Sequence, residues 1–250
     1  MYLQPTFSVS IKADKISLGS TLLFENINFT LEETEWTCLL GPSGVGKTSL
    51  LRIIAGLVPN GNNMSIRCSD NNPINGRISY MAQDDLLLPW LNILDNVLIG
   101  YRLRSEKADK SKAKNLIEMV GLSENVYDLP YKLSGGMRQR VALIRTIMEN
   151  RPVVLMDEPF SSLDVITRVK MQEMAAELLN DRTVLFITHD PMEALRLGDR
   201  IYVLSGRPVE FTNPIIPEGT KPRSVTDKHL IEKQASLLMQ LSSASNSGSE

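Results

Sequence analysis

Apolar and polar residues alternate along the first part of the chain, and this period of two predicts β-strands. Every second residue is apolar over residues 7–11 and again over 27–31, and a nearly continuous apolar run follows at 36–40. Successive side chains of a strand point to opposite faces, so such alternation places one face in a core. Residues 7–31 are therefore predicted to form an antiparallel lead-in to a strand at 36–40.

Beyond residue 84 the apolar residues recur at intervals of three and four, which predicts helices. One helix is predicted to follow Ser105 as its N-cap and to end at Gly121, and another to begin at Ser134. The polar residues between 59 and 76 are predicted to form a loop.

Strands and helices then alternate, which is typical of a parallel sheet covered by helices. Apolar runs predict strands at 77–82, 153–157, 183–187 and 200–204, with helices near 165–180 and at 191–197. A plain βαβ unit takes about 30 residues, far fewer than separate residues 47 and 157, so a helical subdomain is predicted to be inserted over about 84–150.

The last part of the chain is rich in proline and polar residues. We predict one domain over 1–212 and a C-terminal extension over 213–250, with a helix at 225–241 and a disordered tail from residue 242.

Composition narrows the class of protein. The chain has 250 residues, of which 42% are hydrophobic and 22% charged, with a net charge of −2. This balance favours a globular protein and gives no global argument for nucleic acid as a partner. The two cysteines, Cys38 and Cys68, suggest neither disulfides nor a cysteine metal site, and a reducing, cytosolic compartment fits them. With no secretory leader and no apolar run of about 18 residues, any membrane association is expected to go through another protein.

A glycine-rich segment between the strand at 36–40 and a following helix matches G-x-x-x-x-G-K-[ST] at every fixed position. Backbone N–H groups and the helix N-terminus can hold phosphates there, Lys47 can reach the β- and γ-phosphates, and Thr48 can ligate Mg²⁺. The alternative is an ordinary turn before a helix, which the spacing disfavours. The predicted nucleotide-binding residues are Gly41, Pro42, Ser43, Gly44, Val45, Gly46, Lys47, Thr48 and Ser49.

Two further segments carry candidate chemistry. The apolar strand at 153–157 delivers Asp157 and Glu158 at its C-terminal end, where parallel sheets bind ligands. Asp157 is predicted to hold Mg²⁺ or its water, and Glu158 to act as the general base. Ser134, Gly135 and Gly136 open a helix and offer a second anion cradle, which a chain with one nucleotide pocket does not need.

Together these motifs resemble the ATP-binding subunits of ABC transporters over about residues 5–210, and Leu133–Gln139 matches the family signature. The resemblance implies a P-loop ATPase with a mixed sheet, an antiparallel β-subdomain and a helical insert. It also implies a head-to-tail homodimer, in which Ser134–Gly136 of one subunit closes on the γ-phosphate held by Lys47 of the other. By the same resemblance Gln83 contacts Mg²⁺ and the attacking water, 161–164 is the D-loop, and His189 contacts the γ-phosphate.

Adenine recognition departs from the family pattern, because Leu18 stands where an aromatic residue usually stacks on the base. Phe24 is a candidate for that role and equally a candidate for the core.

The apolar stretch Gln83–Val97 contains Pro89 and Trp90 and would suit a groove for a partner's helix. It resembles importer subunits of the nitrate, sulfonate and taurine branch, which implies integral membrane permease partners, an indirect solute-binding partner and a peripheral location at the inner face of the cell membrane. Segments at 148–156, 190–198 and 203–208 look most like ATPases for uptake of the hydroxymethylpyrimidine precursor of thiamine. Taurine, sulfonate or nitrate uptake is the alternative, and a soluble ABC-type ATPase acting as a clamp is a further one.

Overall fold

The computed structural model describes residues 5–18, 21–59, 64–206 and 208–246, and of residues 18 and 242–246 it describes the backbone alone. The strands are β1 Val9–Leu18, β2 Thr21–Leu31, β3 Trp36–Leu40, β4 Met64–Cys68, β5 Ile78–Met81, β6 Val153–Asp157, β7 Thr183–Thr188, β8 Arg200–Ser205 and β9 Glu210–Phe211. The helices are α1 Lys47–Ile54, α2 Ile93–Val97, α3 Ile99–Leu103, α4 Lys110–Met119, α5 Gly135–Met148, α6 Val165–Leu178, α7 Pro191–Leu197 and α8 Lys228–Asn246.

The strands form two sheets. A three-stranded antiparallel sheet has the order β2-β1-β4, and a six-stranded sheet has the order β5-β6-β7-β3-β8-β9. The first five strands of the larger sheet run parallel, and β9 pairs antiparallel with β8. This arrangement confirms the predicted α/β fold with a mixed sheet and the antiparallel pair at the start of the chain.

The parallel sheet is buried on both faces, as its continuous apolar runs require. Leu39 packs with α1 and the antiparallel sheet, whereas its neighbour Cys38 faces the core that includes α2, α4 and α5. Every residue of β3 and of β6 is buried. The loops that follow β3, β6 and β7 therefore begin from strands that are fixed in the core.

Two local predictions are wrong. The predicted loop at 59–76 contains β4, which pairs antiparallel with β1 and buries Met64 and Cys68. Ser105 does not cap a helix, because its φ of 55° is left-handed and an N-cap needs extended backbone. Asp109 caps α4 instead, accepting a hydrogen bond from the Lys112 N–H at 2.9 Å.

The C-terminal helix begins and ends later than predicted. α8 runs from Lys228 to Asn246, so residues 242–246 are helical rather than disordered, and the remaining predicted tail lies outside the described residues. Leu230 and Leu237 attach α8 to the main core. Among the described residues, none of the helices combines the length and apolar character that a membrane span requires.

Candidate active site

The glycine-rich segment lies between β3 and α1, as its chemistry requires. Gly44 and Gly46 have φ values of 80° and 103°, which residues with a Cβ rarely adopt. A Cβ on Gly46 would also lie 3.1 Å from the Phe24 ring. Gly46 is the N-cap of α1 and no side chain caps this helix. The start of α1 is therefore left open to a ligand of negative charge.

Lys47 is folded back over its own loop. Its Nζ donates hydrogen bonds to the carbonyl oxygens of Gly41 and Pro42 at 2.7 and 2.8 Å, and only 5% of the residue is exposed. Burial lowers the pKa of this amine, while the nearby carboxylates of Glu158 and Asp157 oppose the shift. The ammonium group thus lies between the loop that would hold phosphates and the two acidic residues that follow β6.

Asp157 is a carboxylate buried at the end of β6. It is 1% exposed, and neither oxygen has a hydrogen-bond partner of normal geometry among the described residues. Burial raises its pKa, and the neighbouring Thr48 hydroxyl opposes that shift. A buried, unpaired carboxylate is costly unless a cation completes its surroundings. No cluster of three or more His, Cys, Asp or Glu residues is present in the described ranges, so Thr48, Asp157 and phosphate oxygens fit Mg²⁺ better than a metal held by protein side chains alone.

Glu158 and His189 are brought together from neighbouring strands. The His189 Nδ1 lies 3.1 Å from the Glu158 Oε1, and the histidine side chain is 54% exposed. Glu158 has a φ of 47°, a strained value for a residue other than glycine, and its N–H donates to the Ile187 carbonyl at 3.0 Å. The β6–β7 pairing therefore continues one residue past β6 and aims the Glu158 carboxylate at the site.

Gln139 is a residue of the site whose contacts were not predicted from the sequence. Its Nε2 donates to the Pro159 carbonyl at 3.1 Å and lies 3.4 Å from the Glu158 carbonyl. Its place in the Leu133–Gln139 signature was the available signal. The contact ties α5 to the loop after β6, which then continues to Asp164, the N-cap of α6.

The second anion cradle lies apart from the first. Ser134 caps α5 by accepting a hydrogen bond from the Met137 N–H at 3.2 Å, and Ser134 and Gly135 are exposed. In the part of the chain that the structure describes, no hydrogen bond or ion pair joins this turn to the P-loop. Gly41–Ser49 and Ser134–Gly136 are therefore not joined by polar contacts within the described part of one chain.

Gln83 lies at the same sheet edge as the acidic pair. It follows β5 by two residues, and β5 pairs with β6 through Met81 and Met156. Its side chain is exposed. The structure thus places Gln83 beside the strand that carries Asp157, and no hydrogen bond within the described ranges joins the two side chains.

The structure decides between the two roles of Phe24. The residue is fully buried, and its ring lies against the P-loop at Gly46 and 6.3 Å from the ring of Phe211. Phe24 is therefore a core residue that supports the P-loop and has no face free for a base. The side chain of Leu18 lies outside the described residues.

A groove opens beside the Gln83–Val97 stretch. It has a volume of about 450 Å³ and its lining includes Leu86, Leu88, Ile99 and Leu103. Trp90 is 71% exposed nearby in the chain. The stretch is anchored to α5 by Arg138 with the Asp85 carboxylate at 2.9 Å, and by Arg145 with the backbone carbonyls of residues 85 and 86 at 2.7 and 2.9 Å.

The fold and the site define a P-loop ATPase. The P-loop cradle, the two carboxylates after β6 and the histidine after β7 surround one position at the carboxyl edge of the parallel sheet. The family model described as ABC transporter matches residues 24–161. The chain belongs to this family, and it binds and hydrolyses ATP.

Relatives and a solved structure agree with this family. The aliphatic sulfonates import ATP-binding protein of Rhodococcus jostii is 42% identical over 93% of this chain and 94% of that protein. The taurine import ATP-binding protein of a Jannaschia species is 35% identical over 85% of this chain and 82% of that protein. A dimeric ATP-binding cassette, solved in a post-hydrolysis state with ADP and Pi, has a TM-score of 0.73 and 27% identity over 85% of this chain and 100% of that one.

Proposed function

We propose that this chain is the ATP-hydrolysing subunit of a membrane importer for sulfonates or a related small solute. The observation that carries the catalytic part is the 3.1 Å contact between Glu158 and His189 beside the buried Lys47. Glu158 accepts a proton from the attacking water, and His189 holds the γ-phosphate and the Glu158 carboxylate in place. The strained backbone of Glu158 supports this role, since strain is tolerated where it serves a site.

The P-loop residues bind the nucleotide, and three side chains would hold Mg²⁺. Lys47 leaves its own carbonyl partners and turns to the β- and γ-phosphates when ATP enters. Thr48, Asp157 and Gln83 would hold Mg²⁺, which neutralises charge on the phosphate oxygens. The unpaired oxygens of Asp157 are the feature of this chain that favours such a cation.

Two copies of the chain complete each site. Ser134 and Gly135 are exposed, and the helix N-terminus that they form is suited to a phosphate. A head-to-tail homodimer would bring this turn of one subunit to the γ-phosphate on the other. The dimeric cassette that resembles this chain supports the arrangement.

The groove beside Gln83–Val97 is the proposed contact with the permease. Leu86 and Leu103 are 61% and 78% exposed at this groove, and such apolar exposure suits the helix of a partner. Because Gln83 begins the stretch, a partner bound there can sense the nucleotide. The chain would then lie peripherally at the inner face of the cell membrane, with a solute-binding protein delivering the solute to the permease.

The proposed solute follows from the relatives. Both transport proteins reported above are named for sulfonate or taurine import, and this favours sulfonates over the thiamine pyrimidine precursor. No residue of this chain is proposed to contact the solute, because selectivity belongs to the permease and the solute-binding protein. The soluble clamp is disfavoured by the exposed apolar groove, which needs a partner.

The catalytic proposal is tested with Glu158→Gln. We expect this variant to bind ATP as the wild type does, to lose hydrolysis by at least about 100-fold, and to form a stable dimer in ATP and Mg²⁺. Radiolabelled ATP hydrolysis and size-exclusion chromatography measure the two effects, and Glu177→Gln, an exposed glutamate on α6, is the matched control. Wild-type turnover by Glu158→Gln would contradict the assignment of the base.

The transport proposal is tested by purifying the native protein from its own membranes and identifying what accompanies it. We expect an integral membrane permease, and we expect the reconstituted complex to hydrolyse ATP faster with an alkanesulfonate- or taurine-loaded binding protein. Stimulation by hydroxymethylpyrimidine instead would contradict the proposal that the solute is a sulfonate. Recovery with soluble partners alone would overturn the importer.

A further inference from the structure

A buried carboxyl group on α7 lies near enough to Glu158 to interact with it electrostatically, and it has no part in the chemistry proposed above. Glu193, on α7, is 4% exposed. Its Oε1 has no hydrogen-bond partner among the described residues, and its Oε2 lies 3.5 Å from the Gln172 amide nitrogen. Burying a carboxyl oxygen without a hydrogen bond destabilises the fold, so a group kept in this position is a candidate for a functional role.

The surroundings of Glu193 are fixed by a chain of buried polar side chains. Arg196 donates from Nη1 to the Gln172 Oε1 at 2.6 Å, which turns the amide NH₂ of Gln172 toward Glu193. Arg196 is itself held by the Arg223 carbonyl at 3.0 Å and by the Glu173 carboxylate at 2.8 Å. Glu193 is therefore held in one place by α6, α7 and the segment that precedes α8.

On its other side Glu193 adjoins the turn that carries His189. The Thr188 hydroxyl lies beside the carboxyl group and accepts a hydrogen bond from the Asp190 N–H at 3.1 Å. The Asp190 carboxylate accepts the Glu193 N–H at 3.4 Å and the Met192 N–H at 2.9 Å, which caps α7. Thr188 and Asp190, which flank His189 in the chain, thus both interact with α7.

We propose that Glu193 is a positioning residue for ATP hydrolysis, which acts through the Thr188–Asp190 turn to hold His189 against Glu158. The inference rests on the catalytic roles proposed for those two residues. It assigns Glu193 no contact with substrate.

The protonation state of Glu193 gives the inference a measurable consequence. Burial, together with the carboxylates of Asp190 and Glu158, raises its pKa to about 8, while Thr188 and Arg168 oppose this shift. The buried Cys38 thiol faces it from β3 and carries no charge, because its own pKa is also raised. Glu193 is therefore neutral at pH 7. Above pH 8 it becomes an unpaired buried anion next to two carboxylates, and the turn that carries His189 is displaced.

The test is the pH dependence of ATP hydrolysis between pH 6 and 9.5. For the wild type we expect kcat to fall above about pH 8 while the KM for ATP stays constant. Glu193→Gln keeps the neutral hydrogen-bonding shape, so it should retain kcat at pH 7 within about twofold and lose the alkaline fall. Glu177→Gln, an exposed glutamate on α6, should reproduce the wild-type profile.

The outcomes separate this inference from the proposed function. If Glu193→Gln and the wild type share the same alkaline fall, Glu193 does not position the site. If Glu193→Gln fails to fold, as judged by nucleotide binding, the wild-type profile decides, and a constant kcat from pH 7 to 9.5 would overturn the inference. If Glu158→Gln hydrolyses ATP normally, the proposed chemistry fails, whatever the Glu193 profiles show.

Discussion

The P-loop and the Ser134–Gly136 turn are both glycine-containing helix N-termini. They differ in how the surrounding residues support and cap them. The P-loop is backed by the buried Phe24 ring, has glycines at positive φ and leaves α1 without a side-chain cap. The Ser134 turn is exposed, has ordinary helical glycines and is capped by its own serine. The first is a cradle supported from behind by the core, and the second is a surface that another molecule must meet.

The difference between the two cradles indicates how the energy of ATP is used. A nucleotide can bind the P-loop of a single chain, because the loop, Lys47 and Asp157 belong to one subunit. Only the exposed turn needs a second copy. ATP would therefore bind first to one subunit and then draw the dimer together, and hydrolysis would remove the phosphate that joins the two halves.

The largest effect is expected from variants that inactivate one cradle at a time. Lys47→Ala and Ser134→Arg should each reduce hydrolysis by at least about 100-fold as homodimers, because each removes one half of both sites. In an equal mixture of the two variants, a heterodimer has one site with neither change. We expect ATP hydrolysis to recover to a quarter or less of the wild-type rate, roughly in proportion to heterodimer abundance.

The control for this experiment places both changes in one chain. A Lys47→Ala, Ser134→Arg double variant mixed with wild type leaves each heterodimer site with one defect. Activity should then come from wild-type homodimers alone. No recovery in the mixture of the two single variants, while the control mixture keeps the activity of its wild-type chains, would show that the two cradles do not share a nucleotide.

Much of this comparison could be predicted from the sequence, because the signals are local. Glycine spacing marked the P-loop, Ser134 was recognised as the start of α5, and the apolar run at 153–157 located the acidic pair. The Glu158–His189 contact could not be derived from the pattern alone, since it depends on the register of β6 with β7. β4 was missed because its partner β1 lies more than about 50 residues earlier and its own five residues stand between polar stretches of the sequence.

Ser105, which was wrongly predicted to be an N-cap, and Glu193, which was not singled out from the sequence, have a common explanation. Ser105 and Asp109 are both good N-cap residues, and only the left-handed backbone at Ser105 excludes it. Glu193 resembles any glutamate on the polar side of a short helix until α6 and Arg196 cover it. In each case tertiary packing decided between local options that the sequence leaves equal.

A smaller effect should follow from Gly46→Ala in the P-loop. The φ of 103° and the 3.1 Å approach to the Phe24 ring predict strain of about 1–3 kcal/mol and a displaced loop. We expect weaker binding of a fluorescent ATP analogue and a lower denaturation midpoint. Gly44→Ala is the matched control, since its φ of 80° is also positive but its Cβ would meet open space. Equal losses in both variants would show that strain alone, without the Phe24 contact, controls the loop.

The smallest expected effect concerns the cap of α5. Ser134→Ala removes a hydrogen bond of 3.2 Å to the Met137 N–H, which should cost about 1 kcal/mol and lower Tm by about 2–4 °C. Asp109→Ala removes the equivalent cap of α4 and should lower Tm by a similar amount. ATP hydrolysis distinguishes the two, because the serine hydroxyl would also face the γ-phosphate of the partner subunit. We expect Ser134→Ala, but not Asp109→Ala, to slow hydrolysis, while ATP binding to a single chain stays unchanged. An equal effect of both variants on hydrolysis would show that Ser134 acts only as a helix cap.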